Sequence, residues 1–218
     1  MDNYDWESVL FSSRDVQRLD YVTRFTSIPV VTREAVSTHS FWVSFYSQMI
    51  YDALKIDNGI FLGALLAKAN LHDLVEMRSG DFVRTFKYKT RDLKKAIDAA
   101  EDILLDEFEA PIKAMYESAR VMAESTSPEL VEAIVKAADF MSLANYMDRE
   151  LLRSNYEVTP FYERMVGDIA LMVDKPHKYE WDNRSYDLKA LYQTMYNRSK
   201  HLLMLVPRHY AQASQRKV

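Results

Sequence analysis

The chain has 218 residues, a hydrophobic fraction of 48% and a formal net charge of −4 at neutral pH. That hydrophobic fraction is ample for a buried core and argues against disorder, while the slight acidity argues against a general nucleic-acid-binding surface. The chain contains 4 glycines and 6 prolines. So few turn residues disfavour a β sandwich or barrel and favour long helices.

The chain has no cysteine, which excludes disulfides and zinc–thiolate sites. Residues 1–5 are polar and acidic, unlike a signal peptide. No apolar run reaches the roughly 18 residues that a membrane-spanning helix needs. We therefore expect a soluble cytoplasmic protein with no membrane segment and no nucleic-acid partner.

Apolar residues recur at helical spacing along most of the chain. In chain order, the predicted helices cover residues 14–26, 37–55, 60–76, 91–124 (as two segments), 128 to about 154, 160–173 and 184–206. Ser37 or Thr38 can cap the second helix, and Ser127 followed by Pro128 is a strong start signal for the longest one. Pro111 either limits the first of the two segments or lies in the first turn of the second.

The stretches between these helices are short. Residues 57–59 are a predicted turn, and residues 82–90 and 175–183 are predicted loops. The chain shows no internal repeat, low-complexity segment or linker. One all-α domain over residues 1–218 is the simplest organisation.

Two histidines and two aspartates, His39, His72, Asp73 and Asp139, are placed by helical periodicity on faces that also carry apolar residues. A buried carboxylate is costly unless it is paired or binds a metal. One divalent cation explains all four inward positions, because imidazole and carboxylate groups can share one ion. Such an ion can acidify a water and polarise a phosphoryl oxygen. The alternative is a set of unrelated buried groups, each hydrogen-bonded locally.

The same periodicity argument separates other polar residues from this set. Asp148 lies nine residues after Asp139, on the opposite helix face, and is predicted to be solvated. His177 follows a proline in a polar stretch, while His201 and His209 lie near the C-terminus. We interpret all three histidines as non-ligands.

The order and spacing of several motifs resemble a known family. The motifs are Arg18-Leu19, Thr23-Arg24-Phe25, residues 36–40, residues 71–76, Gly80-Asp81, Lys87-Tyr88 and residues 136–139. Together they resemble the HD-domain nucleotide phosphohydrolases, most closely the small bacterial 5′-deoxynucleotidases of the YfbR type and the related compact phage dATP triphosphohydrolases. The firm match covers residues 14–150, and the C-terminal helices, 160–207, are expected to pack on the same domain.

The resemblance implies a helical HD bundle with a divalent metal, Co²⁺, Mn²⁺, Zn²⁺ or Mg²⁺, as its cofactor. The implied ligands are His39, His72, Asp73 and Asp139. Glu76 is implied to orient or deprotonate the attacking water, so Asp73 and Glu76 are the implied catalytic residues.

The resemblance also implies the substrate contacts. Arg24 would hold the phosphate, and Asp81 would hold the sugar hydroxyl. Lys87 and Lys136 would also contact the negative charge of the phosphate. For each lysine the alternative is a solvated surface charge. The related deoxynucleotidases carry Trp after the arginine, whereas this chain has Phe25. Phe25 can still wall off the sugar, and its alternative role is ordinary core packing.

The expected function is therefore metal-dependent hydrolysis of deoxynucleotides, as a 5′-deoxynucleotidase on dNMPs or a triphosphohydrolase on dNTPs, in control of the nucleotide pool. One alternative is a catalytically silent HD protein that binds a nucleotide or a partner. Another is a cyclic-nucleotide or (p)ppGpp hydrolase of the wider superfamily, which usually shows longer chains or further motifs. A homo-oligomer is expected, and the aromatic residues after position 155 suit either a core or an oligomer interface.

Overall fold

A computed structural model, which describes residues 5–81 and 90–207, shows an all-α protein with one small hairpin. The helices are α1 (Trp6–Val16), α2 (Val36–Ala53), α3 (Gly59–Leu71), α4 (Glu76–Ser79), α5 (Arg91–Asp106), α6 (Ala110–Glu124), α7 (Pro128–Leu152), α8 (Thr159–Val173) and α9 (Lys189–Met204). Short 3-10 helices cover Gln17–Asp20 and Tyr156–Val158, and the strands are β1 (Lys178–Trp181) and β2 (Arg184–Asp187). The predicted all-α class is confirmed.

Helix α7 is the centre of the bundle. It packs against α2, α3 and α9, and α9 packs in turn against α8. Ser127 caps α7 through its hydroxyl, which accepts from the Leu130 N–H, and Pro128 occupies the first turn, as predicted. The main core lies between these helices, and a smaller apolar cluster lies where α4 and α6 meet the 3-10 segment after α1.

Helix α3 is shorter than its predicted range of 60–76. Asn58 caps its start by accepting from the Phe61 N–H, and the helix ends at Leu71. A tight turn follows over residues 72–75, and α4 begins at Glu76. The turn places the predicted metal ligands His72 and Asp73 just after the carboxyl end of α3 instead of along its face.

The predicted first helix, 14–26, is wrong. Helix α1 ends at Val16, and after the 3-10 segment the chain runs irregularly to α2. An isolated antiparallel bridge joins Thr23 to Ala35. Ala35 is also the residue before α2 and gives it no side-chain cap, so the expected cap at Ser37 or Thr38 is wrong too. The bridge pairs backbone groups in this segment that a helix would otherwise satisfy.

The predicted loop 175–183 and the start of the predicted helix 184–206 instead form the hairpin. Its register pairs Tyr179 with Tyr186 and Trp181 with Arg184. Both residues of the connecting turn, 182 and 183, have positive φ values of 51° and 56°. Such a two-residue turn matches the right-handed twist of paired strands.

Asp148 is buried, with 1% of its surface exposed, so its predicted solvation is wrong. Its carboxylate accepts from the Tyr162 hydroxyl at 2.5 Å and lies 3.0 Å from the Arg198 guanidinium. The error has a physical cause: α2 covers one face of α7, and α8 and α9 cover the other. In the part of the chain that the structure describes, no helix has the length and apolar character needed to cross a membrane.

Candidate metal centre

The two predicted histidine ligands face each other. His39, on α2, is fully buried, and its Nδ1 lies 3.0 Å from the Ser142 hydroxyl of α7. His72, just after α3, has its Nδ1 2.6 Å from the carbonyl oxygen of Ala69. The Nδ1 of His72 must donate in this contact, so in the neutral imidazole its Nε2 keeps the lone pair that a metal could take. The two Nε2 atoms are 3.3 Å apart.

Both predicted carboxylate ligands join this pair. An oxygen of Asp73 lies 3.3 Å from the Nε2 of His39 and 3.1 Å from that of His72. An oxygen of Asp139, on α7, lies 3.2 Å from the Nε2 of His39. Ligands bound to one ion at roughly 2.0–2.2 Å are themselves separated by roughly 3–3.5 Å. The two imidazoles and the Asp139 carboxylate could hold a divalent cation at this spacing, and Asp73 lies against both imidazoles.

One side of the cluster is open. The side chain of Asp139 is 39% exposed, whereas that of Asp73 is 25% and that of His39 is 0% exposed. His39, His72 and Asp139 also each offer a ligand atom within 4.8 Å of the others. The cluster is therefore buried on the side of His39 and accessible to solvent on the side of Asp139, which is called its mouth below.

The charged groups of the cluster shift one another's pKa values. Burial acts to raise the pKa of Asp73, but the charge of His72 and hydrogen bonds from both histidines outweigh it and hold that pKa well below its ordinary range. Burial also acts to raise the pKa of Asp139, but the hydrogen bond and charge of His39 and the charge of Arg24 lower this pKa overall. Burial opposes a charged His72, yet the neighbouring Asp73 raises its pKa overall. Both aspartates are therefore ionised at neutral pH, as metal ligands must be.

Arg24 approaches the cluster from the irregular segment before α2. Its Nη1 lies 3.1 Å from an oxygen of Glu34, and its side chain is 13% exposed. Burial acts to lower the pKa of Arg24, but the charges of Asp139, Asp73 and Glu34 raise it overall. The guanidinium is thus a permanent cation that the carboxylates of Asp139, Asp73 and Glu34 stabilise.

Phe25 has a left-handed backbone, with φ 60°. This conformation costs a non-glycine residue of order 1 kcal/mol or more, and it persists where the surroundings impose it. The Phe25 N–H donates to Asp81, whose pKa is nevertheless raised by burial, with Arg24 acting against the rise. The Phe25 ring stacks on Tyr146 of α7 at 4.6 Å. The predicted sugar-binding pair thus lies next to Arg24.

The structure describes some of the remaining predicted residues and not others. Glu76 is half-buried at the start of α4, and Lys136 is exposed on α7, one turn before Asp139. Lys87 lies outside the described residues. His177 is buried, against the Met172 carbonyl and the Tyr192 ring, and His201 is exposed. His209 lies outside the described residues.

Three residues beside the cluster were not predicted to have a role: Glu34, Ser142 and Tyr146. Ser142 follows Asp139 by three residues and therefore shares its helix face. That spacing is a signal that the sequence offered. The contacts of Glu34 and Tyr146 depend on the irregular segment, which periodicity does not describe.

Several solved structures have a similar fold. The PH0347 protein of Pyrococcus horikoshii is 20% identical, with a TM-score of 0.63 over 88% of this chain and 99% of that one. An HD-domain phosphohydrolase (lin2634) of Listeria innocua is 15% identical, with a TM-score of 0.64 over 96% and 99% of the two chains. The cyanophage S-2L HD phosphohydrolase DatZ, bound to dA and one catalytic Zn²⁺ ion, is 14% identical, with a TM-score of 0.53 over 88% and 96%. These likenesses show an HD fold.

A search of curated proteins finds no match. The family model of the YfbR-like 5′-deoxynucleotidases, however, matches residues 13–180, which is most of the chain. That range contains Arg24, both histidines and both aspartates of the cluster. The helical HD fold, the cluster and the family match together show that this chain is a hydrolase that belongs to the YfbR-like 5′-deoxynucleotidase family.

Proposed function

We propose that the chain hydrolyses deoxynucleoside 5′-monophosphates to a deoxynucleoside and inorganic phosphate. The observation that carries this proposal is the position of Arg24, a buried cation beside the His39–His72–Asp73–Asp139 cluster. A planar guanidinium fork suits a phosphate oxygen pair, and the carboxylates keep it charged. The family match supports a deoxynucleotide as the substrate class.

His39, His72, Asp73 and Asp139 would hold a divalent ion, which supplies a Lewis acid for a phosphoryl oxygen and a more acidic water. Mixed imidazole and carboxylate donors suit Zn²⁺, Co²⁺ or Mn²⁺ better than Mg²⁺, which prefers oxygen ligands. The Zn²⁺ of the cyanophage relative supports a transition metal here.

We assign the remaining chemical steps to residues of the chain. Glu76 orients the attacking water and accepts its proton. Arg24 stabilises the negative charge on the phosphoryl oxygens in the transition state. A bond forms between the water oxygen and phosphorus, and the bond from phosphorus to the sugar 5′-oxygen breaks. That oxygen takes up the proton that Glu76 accepted, directly or through water, and the deoxynucleoside leaves.

Phe25 and Asp81 are the proposed sugar contacts. With the phosphate on Arg24, the sugar would lie beside the next residue, Phe25, and Asp81 is tied to the same backbone through the Phe25 N–H. A carboxylate can accept from a sugar hydroxyl, and an aromatic wall can exclude an extra one.

The second candidate substrate is a dNTP, from which an intact triphosphate would depart. The observation that favours it is Lys136, an exposed cation one turn before Asp139 on α7. A lysine at the mouth of the cluster could meet the distal phosphates. Lys87 is the other proposed contact of this kind.

The experiment that separates these candidates is product analysis. The purified protein is incubated with each dNMP and dNTP and Mn²⁺, Co²⁺, Zn²⁺ or Mg²⁺, and free phosphate, triphosphate and nucleoside are quantified. Free phosphate from dNMPs supports the proposal, and triphosphate from dNTPs supports the second candidate. Metal and nucleotide binding without any turnover would support the catalytically silent alternative.

A further inference from the structure

Glu34 is a buried carboxylate that the proposed reaction does not use directly. It is 5% exposed, and its two oxygens each meet a different arginine. One oxygen lies 3.1 Å from Arg24, and the other lies 3.6 Å from Arg149 of α7. A buried carboxylate is retained at such a cost only where its partners compensate for its desolvation.

The main chain of Glu34 also holds Arg24. The Arg24 N–H donates to the Glu34 carbonyl at 2.9 Å, and the Val36 N–H donates to the Val22 carbonyl at 2.9 Å. Arg24 is therefore bound through its backbone and its side chain by one residue. Glu34 lies five positions before His39 in the chain. Its contacts therefore connect Arg24 to α2, the helix that carries the proposed metal ligand His39.

The contacts of Glu34 close into a ring. Glu34 pairs with Arg149, whose guanidinium lies 5.7 Å from the centre of the Tyr146 ring. Tyr146 stacks on Phe25, and the Arg24 guanidinium lies 4.8 Å from the centre of the Phe25 ring. Each member of the ring is thus held from two sides, which restricts the rotamers of Arg24.

Arg24 needs such restraint because the carboxylates of the cluster attract its guanidinium. The charges of Asp139 and Asp73 both act on the guanidinium. Among the ion pairs of the described residues, Arg24 contacts Glu34 and neither of these two aspartates. A guanidinium that collapsed onto the carboxylates would present fewer of its five N–H donors to a phosphate.

We propose that Glu34 is a positioning residue: it holds the Arg24 guanidinium back from Asp73 and Asp139, in the orientation that receives the substrate phosphate. This inference rests on the proposed function. It predicts that the effect of Glu34 passes through Arg24 and through no other group of the site.

The test is a double-mutant cycle with Glu34→Gln, Arg24→Ala and the combined variant. Two quantities are measured on metal-loaded protein: kcat/KM on one dNMP, and the Kd of inorganic phosphate by calorimetry. Glu34→Gln should lower kcat/KM by about 10- to 100-fold, mainly through KM, because small displacements of a positioning group have effects of this size. The Kd of phosphate should rise in parallel, and the metal content should not change.

In the Arg24→Ala background, the same Glu34→Gln change should alter neither quantity by more than about twofold, since coupled residues lose additivity. Glu34→Asp keeps the charge, so its kcat/KM and its Kd of phosphate should lie between those of wild type and Glu34→Gln. If the glutamine variant folds poorly, the same cycle can be measured with Glu34→Asp. Glu150→Gln is the matched control: it removes a carboxylate that binds the Val31 and Thr32 N–H groups of the same segment. It should leave kcat/KM unchanged.

Equal fold-losses for the Glu34 variants with and without Arg24, or no loss at all, would overturn the inference. Wild-type protein that hydrolyses no nucleotide would contradict the proposed function, while the phosphate titration would still decide the role of Glu34.

Discussion

The Nδ1 atom of His39 lies 3.0 Å from the hydroxyl oxygen of Ser142, and both side chains are buried between α2 and α7. When His39 binds a metal through Nε2, Nδ1 carries the proton and donates it to this hydroxyl. The contact therefore holds the ring orientation that the proposed metal centre requires, and the hydroxyl can accept the Nδ1 proton of the required tautomer.

Ser142→Ala should weaken metal binding by about 10- to 100-fold, which is the usual effect of removing a group that orients a metal ligand. Competition with a chelator, followed by elemental analysis, measures this affinity. Ser40→Ala is the matched control. Ser40 lies on α2 and is buried like Ser142, but its hydroxyl donates to the Val36 carbonyl and not to a histidine. Equal metal affinity in the two variants would show that His39 does not need Ser142.

Glu76→Gln should retain nucleotide and metal but lower kcat by about 100-fold or more, the range for loss of a general base. The change keeps the size of the side chain and removes its capacity to accept a proton. Steady-state kinetics and metal analysis on the same preparation measure both effects. A near wild-type kcat would mean that the water is activated without Glu76.

Phe25→Ala should bring the kcat/KM on a ribonucleotide closer to that on the matched deoxynucleotide. An aromatic wall that merely excludes a hydroxyl discriminates by about 100-fold at most. Tyr146→Phe keeps the ring that stacks on Phe25 and removes the hydroxyl that donates to the Thr32 carbonyl at 2.5 Å, so it is the control for lost stability. An unchanged ribose-to-deoxyribose ratio in Phe25→Ala, with a lower Tm, would show that Phe25 is ordinary core.

Glu150 should stabilise the fold in a pH-dependent way. Burial acts to raise its pKa, but N–H groups of Val31, Asn155 and Thr32 outweigh it, so the pKa is below its ordinary value of 4.5 in the folded protein. A lowered folded-state pKa gives stability that is fully present above 4.5 and is lost as the pH falls through the folded-state value.

Glu150→Gln should therefore lower the free energy of unfolding at pH 7 by about 1–3 kcal/mol, because backbone donors lose their acceptor. Urea unfolding at pH 7 and at a series of lower pH values measures the difference from wild type, which should shrink below pH 4.5. The exposed Glu107→Gln control should change stability by less than about 0.5 kcal/mol. A difference that is constant with pH would contradict the assignment.

Local signals were enough to predict the helices that carry the cluster. Ser127 and Pro128 marked the start of α7, and periodicity placed His39 and Asp139 on the apolar faces of their helices. These predictions succeeded because caps and 3.6-residue spacing act within a single helix. The role of Arg24 in the cluster came from the resemblance, since its irregular segment has no periodicity.

Two errors had different causes, one in tertiary context and one in short strands. Asp148 was predicted to be solvated because it is opposite to Asp139, but Tyr162 of α8 and Arg198 of α9 cover the part of α7 on which it lies. The hairpin was overlooked because its strands have four residues each. Its turn residues, Asp182 and Asn183, are nevertheless of the types that favour a two-residue hairpin turn, so this signal was available in the sequence.

Metal reconstitution tests the central claim most directly. Wild-type protein and Asp73→Ala are stripped with a chelator, supplied with Co²⁺, Mn²⁺ or Zn²⁺, and assayed for release of phosphate from a dNMP. Asp73 lies within 3.3 Å of the Nε2 atoms of both His39 and His72, so its loss should disrupt the whole cluster. We predict that the stripped wild type is inactive and recovers with metal, while Asp73→Ala neither binds metal nor recovers. Full activity in the stripped wild type, or full recovery of Asp73→Ala, would contradict the account.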